Sequence, residues 1–133
     1  MNTPRSPRIF AAGLAALALA LGTVLPAQEA RLANLSTRAQ AGTGANVLTA
    51  GFVIPAGASK QVVIRAVGPT LGTAFGLTGV LADPQITLVG ANSAIVATNN
   101  NWNASDAAAF TSVGAFALPS GSLDAAIVMT LAP

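Results

Sequence analysis

The side chains best equipped for chemistry gather in one stretch, VATNNNWNASDAAAF, from Val96 to Phe110. Asn99, Asn101 and Asp106 place oxygens along a short loop, the ligand type that calcium prefers. Only Asp106 among them is a carboxylate, so a calcium site built from them would be weak. Trp102, flanked by Asn100 and Asn103, is the set a sugar would meet. The indole gives a stacking platform, and amides both donate to and accept from hydroxyls. A third reading needs no ligand. Asn99–Asn101 are then turn residues that tolerate left-handed backbone angles, and Trp102 plugs the end of the fold beneath a short helix.

Elsewhere the inventory excludes more than it offers. Histidine and cysteine are absent, which removes the commonest general base and the ligands of a typical zinc site. A Ser-His-Asp arrangement cannot be assembled from this chain. A hydrolase using two carboxylates needs them facing each other across a bond. Asp83, Asp106 and Asp124 instead fall in a loop, at a helix start and at a solvent-facing strand start. The glycines of AGTGANVLTAG (41–51) lack the Lys-Ser/Thr ending and the following helix of a phosphate loop. The expectation is a chain with no catalytic residues, no cofactor and no metal beyond the weak calcium candidates.

The first thirty residues belong to another category. Arg5 and Arg8 form a basic head, an apolar run extends from Ile9 to Leu25, and Pro26 and Ala27 follow. This is the layout of a secretory signal peptide over residues 1–27, cleaved after Ala27 or after Ala30. The competing reading is a retained anchor, for which the run is short and rich in alanine. Either one delivers the remainder outside the cytoplasm, secreted or at the cell surface. The membrane then matters only through this segment.

Without residues 1–27, Arg31, Arg38, Lys60 and Arg65 balance Glu29, Asp83, Asp106 and Asp124. A neutral domain with four scattered cations has no stripe for tracking phosphates, so nucleic acid is excluded as a partner.

From Arg31 the pattern is short apolar runs between Gly, Pro, Ser and Asn clusters, which predicts strands. RLANLSTR (31–38) is a first strand. VLTAGFVI (47–54) places Leu48, Ala50, Phe52 and Ile54 on one face. PAGAS (55–59) links it to KQVVIRAV (60–67), where Val62, Ile64 and Ala66 share a face, and these two are expected to pair. GPTLGTAFGLTGVLADP (68–84) reads as an irregular loop whose Leu71, Phe75, Leu77 and Leu81 cover an open end. QITLV (85–89) and AIVAT (94–98) flank the turn GANS (90–93). NASDAAAF (103–110) is a short helix capped by Asn103, with Asp106 near its positive end. LDAAIVMTL (123–131) alternates Ala125, Ile127, Met129 and Leu131 against Asp124, Ala126, Val128 and Thr130. Six strands and one helix, without regular strand–helix alternation, predict an all-β, antiparallel β-sandwich over 31–133.

The stretches RLANLSTRAQAGTGANVLTAGFVI, KQVVIRAVGPTL, LADPQITLVGANSAIVATNNNWN and AFALPSGSLDAAIVMTLAP resemble a repeat domain of exported and cell-surface proteins from bacteria of the Verrucomicrobia type. The resemblance spans Arg31 to Pro133, and IRAVGPTL is its most specific piece. It implies that further strands follow the last one here, so the sandwich is expected to be a truncated copy lacking its final strands. DPQITLVGANSAIVATNNNW is more loosely similar to the jelly-roll domains at the C-termini of secreted bacterial peptidases. Neither family supplies a catalytic residue. The expected partners are a neighbouring domain or another copy that supplies the missing strands, or surface glycans. The function expected is a structural, adhesive or assembly module. A carbohydrate-binding module and an appendage of a secreted hydrolase are the alternatives.

Overall fold

The computed structural model describes residues 33–133. The signal segment, both cleavage positions and the first two residues of the expected strand 31–38 lie outside them. The described elements follow in the order β1 (Lys60–Ala66), α1 (Pro69–Phe75), β2 (Ile86–Val89), β3 (Ile95–Asn99), α2 (Ala107–Ser112) and β4 (Ala125–Leu131). Two 3₁₀ turns, Gly44–Asn46 and Ala104–Asp106, complete the set. The strands form two small antiparallel sheets, β1–β4 and β2–β3.

The sheet β1–β4 joins residues far apart in sequence, with Lys60 opposite Leu131 and Ala66 opposite Ala125. Directly opposed residues share a face. Val62, Ile64 and Ala66 therefore lie beside Met129, Ile127 and Ala125, as the period-2 pattern in both segments requires. Val63 and Arg65 share the other face with Val128 and Ala126. Against that face packs the core, where Phe110, Leu118 and Ala126 are buried and Val63, Val67, Trp102, Ala115 and Val128 surround them. The β2–β3 hairpin turns through Gly90–Ser93. Ala94 accepts from the Gly90 amide at 2.8 Å, and Ser93 takes a left-handed φ of 59°.

Three expectations need correction. The segment 47–54 does not pair with β1; it has no regular structure and is exposed except at Ile54. Alternation states which side chains would share a face, not which strand is joined. In this chain β1 takes β4 instead. Likewise 33–38 carries no strand. The third correction concerns 68–84, expected to be irregular, where Pro69–Phe75 is helical. Pro69 stands at the start of the helix, where its missing N–H costs nothing. Gly76 ends it at a left-handed φ of 67°, its amide returning to the carbonyls of Gly72 and Leu71. The free amides at the first turn are met from outside the helix, as described below.

The helix expected at 103–110 forms as the 3₁₀ turn followed by α2. Asn103 Oδ1 accepts from the Ser105 amide at 3.0 Å and from Ser105 Oγ at 2.9 Å. That is the capping role its residue type predicts.

Candidate functional site

The Asn-rich corner is held between β3 and β4. Asn99 is the last residue of β3, and its Oδ1 accepts from the Ala126 amide of β4 at 2.9 Å. Its Nδ2 donates to the Asn101 carbonyl at 2.9 Å, closing the turn. At the next residue, the Trp102 amide donates to the Asp124 carbonyl at 2.8 Å. Trp102 is half-buried, and its ring lies 5.7 Å from that of Phe110 at a tilt of 42°. The indole Nε1 donates to the Pro119 carbonyl and to Ser122 Oγ, both at 3.1 Å. The polar end of the tryptophan is thus tied to the loop before β4.

Placed this way, the residues singled out in sequence do different things. Asn99 stitches two sheets, Asn103 caps the 3₁₀ turn, and Trp102 packs on α2. Asn100 and Asn101 are exposed. Asp106 is half-buried and lines an open hollow of about 370 Å³ with Gln61, Ser112 and Val128. Asn99 and Asn100 line a separate hollow of about 360 Å³ with Gln85, Thr87 and Thr98. Among the described residues, no three Asp, Glu, His or Cys side chains gather as a metal cluster.

A second polar centre lies just across the Trp102–Asp124 hydrogen bond. Asp124, expected at a solvent-facing strand end, is fully buried at 0% exposure. Its Oδ1 accepts from the Gly68 amide at 2.8 Å and the Thr70 amide at 3.3 Å. Its Oδ2 accepts from Thr70 Oγ1. These are the first-turn amides of α1 that have no partner within the helix. A carboxylate there is further favoured by the positive end of the helix. Burial pushes the Asp124 carboxyl up, but hydrogen bonds from Thr70, Ser122 and the two backbone amides more than offset this, leaving it below its ordinary value. The carboxylate therefore acts as a remote cap that ties the start of β4 to the end of β1.

Arg65, next to this centre on β1, lies between two aromatic rings. Its guanidinium carbon is 4.7 Å from the centroid of Phe110 and 4.5 Å from that of Phe116. Nη1 donates to the Phe116 carbonyl at 2.8 Å. Nε and Nη2 are buried without a partner. Burial pushes the guanidinium below its usual value, and the charge of Asp124 partly restores it. Phe116 in turn meets Phe75 of α1 edge-on at 5.1 Å. The IRAVGPTL stretch is thus the part of the chain where β1, α1 and the loop before β4 are fastened together.

Sequence reasoning missed this centre. The signal was present at Gly68-Pro69-Thr70. Proline opens a helix there, yet no side chain at position 68 can cap it, so the acceptor has to come from elsewhere in the chain. Gly68 is also required sterically, because a Cβ at this position would overlap the Leu81 carbonyl oxygen.

Compared with known proteins, the chain matches no family model, no curated protein and no solved structure.

Proposed function

We propose that this chain is an exported, non-catalytic β-sandwich module, of jelly-roll or immunoglobulin-like kind, with a structural, adhesive or assembly role in a bacterial surface or secreted protein. The observation that supports this most is the inward commitment of its polar groups. Asn99, Trp102, Asn103 and Asp124 each direct hydrogen bonds at the chain's own backbone. Side chains that could have built a reactive site instead join β3, α1, α2 and β4. The basic head and apolar run of residues 1–27 support export. The resemblance of Arg31–Pro133 to repeat domains of exported bacterial proteins supports the surface role.

Expression in a bacterium with an intact export system, followed by fractionation and N-terminal sequencing, tests the reading. The expected product is extracytoplasmic and begins at Gln28 or Arg31. An uncleaved product confined to the cytoplasm would overturn it.

One observation favours a second reading, a carbohydrate-binding accessory module. Asn100 is exposed, and Trp102, two residues on, is only half-buried, so an amide and part of an indole are both open to solvent in one short loop. A glycan array comparing the chain with Trp102→Ala decides this. Signal on a defined glycan that the variant loses would establish the second reading, and blank arrays for both would remove it.

A further inference from the structure

We propose that two copies of this chain exchange the segment 47–54 as a β-strand, each adding it to the unpaired edge of the other's β1. Two complementary deficits in one chain carry this inference. Among the described residues β1 is hydrogen-bonded on one side only, to β4. An edge of this kind presents a row of free amides and carbonyls that pairs readily with another chain. The segment VLTAGFVI has the alternation of a half-buried strand and no charged residue, yet it pairs with nothing. Val47, Leu48, Phe52 and Val53 are all exposed, Val53 to 86%. An unpaired edge and an unpaired strand former in the same molecule are self-complementary.

The register is defined by parity. With Ile54 opposite Lys60, antiparallel pairing puts Phe52 opposite Val62, Ala50 opposite Ile64 and Leu48 opposite Ala66. All four then fall on the face that already carries Ile127, Met129 and Leu131. The apolar side chains of the added strand therefore extend an existing apolar face.

Area decides between one-way addition and exchange. A strand of this length is ~27 Å long, and a contact strip ~10 Å deep removes roughly 270 Å² from each partner. Exchange in both directions buries about 1,100 Å² in total, close to the ~1,000 Å² that a specific interface needs, whereas one-way addition buries about half of that. The result is a two-fold symmetric dimer. The link between the segments favours an open hinge. Pro55 restrains Ile54 to extended backbone, and Gly57 sits at a φ of 126°.

The inference deepens the assembly role proposed above, but a monomer would refute the exchange and leave the export test untouched. The experiment is light scattering on the purified chain beside Thr49→Pro/Gly51→Pro. Both positions are exposed and outside regular structure, so the variant is expected to keep the fold of the single chain and to lose from the circular-dichroism spectrum only the strand signal of 47–54. The expected result is twice the chain mass for the parent and the single chain mass for the variant. A monomeric parent, or a variant still at twice the mass, overturns the proposal. Because the chain has no cysteine, Phe52→Cys mixed with Val62→Cys gives a second readout that does not depend on the proline variant. A disulfide-linked heterodimer is expected, and its absence under oxidation overturns the proposal. Own-chain pairing of 47–54 with β1 would show as a monomer with protected amides in that segment, and would likewise overturn it.

Discussion

Replacing Asp124 by alanine removes the acceptor for three buried donors at once: the Gly68 amide, the Thr70 amide and the Thr70 hydroxyl. Each buried donor left without a partner costs about 1–3 kcal/mol. The three are not additive, because the Thr70 hydroxyl can rotate to another acceptor. A total loss of about 3–5 kcal/mol is expected, the range seen when one member of a buried polar arrangement is deleted. Against a typical stability of ~5–15 kcal/mol, that is a large fraction. Asp124→Asn keeps an oxygen for the amides and should lose ~1–2 kcal/mol less. Urea unfolding followed by fluorescence reports on the change directly, since Trp102 is the sole tryptophan and its amide bonds to the Asp124 carbonyl. Asp83→Ala serves as the control because Asp83 is exposed, and it should stay within about 0.5 kcal/mol of the parent. If Asp124→Ala behaves like that control, the carboxylate does not cap α1 and the reasoning fails.

Three further outcomes follow from the same geometry. Because the folded carboxyl of Asp124 titrates below the ~3.9 of a free aspartate, its contribution is complete above that value and is lost as pH falls through the lower folded one. The stability gap between the parent and Asp124→Asn should therefore narrow in acid-unfolding curves, and a gap that widens in acid would contradict the assignment. Gly68→Ala forces a Cβ onto the Leu81 carbonyl oxygen and should cost at least ~2 kcal/mol by urea midpoint, whereas Gly51→Ala, with open space around it, should be nearly neutral. Arg65→Lys loses the planar stack between Phe110 and Phe116 and should cost about 1–2 kcal/mol; Arg65→Met and Arg65→Ala both remove two buried donors without partners, but Met keeps an apolar side chain packed between the rings and should cost less than Ala.

The sequence made four strands legible because each carries its own period-2 pattern and is bounded by turn residues. KQVVIRAV, QITLV, AIVAT and LDAAIVMTL all appear as strands, shifted by one or two residues at their ends. The GANS turn and the Asn103 cap were legible for a similar reason, since both close through hydrogen bonds within a few residues, backbone to backbone in the turn and side chain to backbone in the cap. Pairing was not legible. Alternation in VLTAGFVI is as regular as in KQVVIRAV, yet β1 joins a strand some sixty residues away. Local patterns carry no information on which edge meets which. Helix α1 was hidden because its cap, Asp124, lies over fifty residues downstream. The burial of Asp124 was hidden too. An acid opening a strand looks solvent-facing until the donors that surround it are known. At the Asn-rich corner the Asn103 cap was read correctly, whereas Asn99 ends β3 as a strand residue and none of Asn99–Asn101 takes a left-handed angle; the bond from Ala126 to Asn99 depended on the unforeseen position of β4.

The claim most exposed to test is that inward-turned polar groups of Asp124 and Asn99 fasten the elements together. Native-state amide hydrogen exchange examines all of them at once. The amides of Gly68, Thr70, Trp102 and Ala126 are expected to exchange only on global unfolding, as slowly as those in the middle of β1 and β4. If Gly68 and Thr70 instead exchange at the rate of the exposed link 56–59, the carboxylate does not hold them and the claim is contradicted.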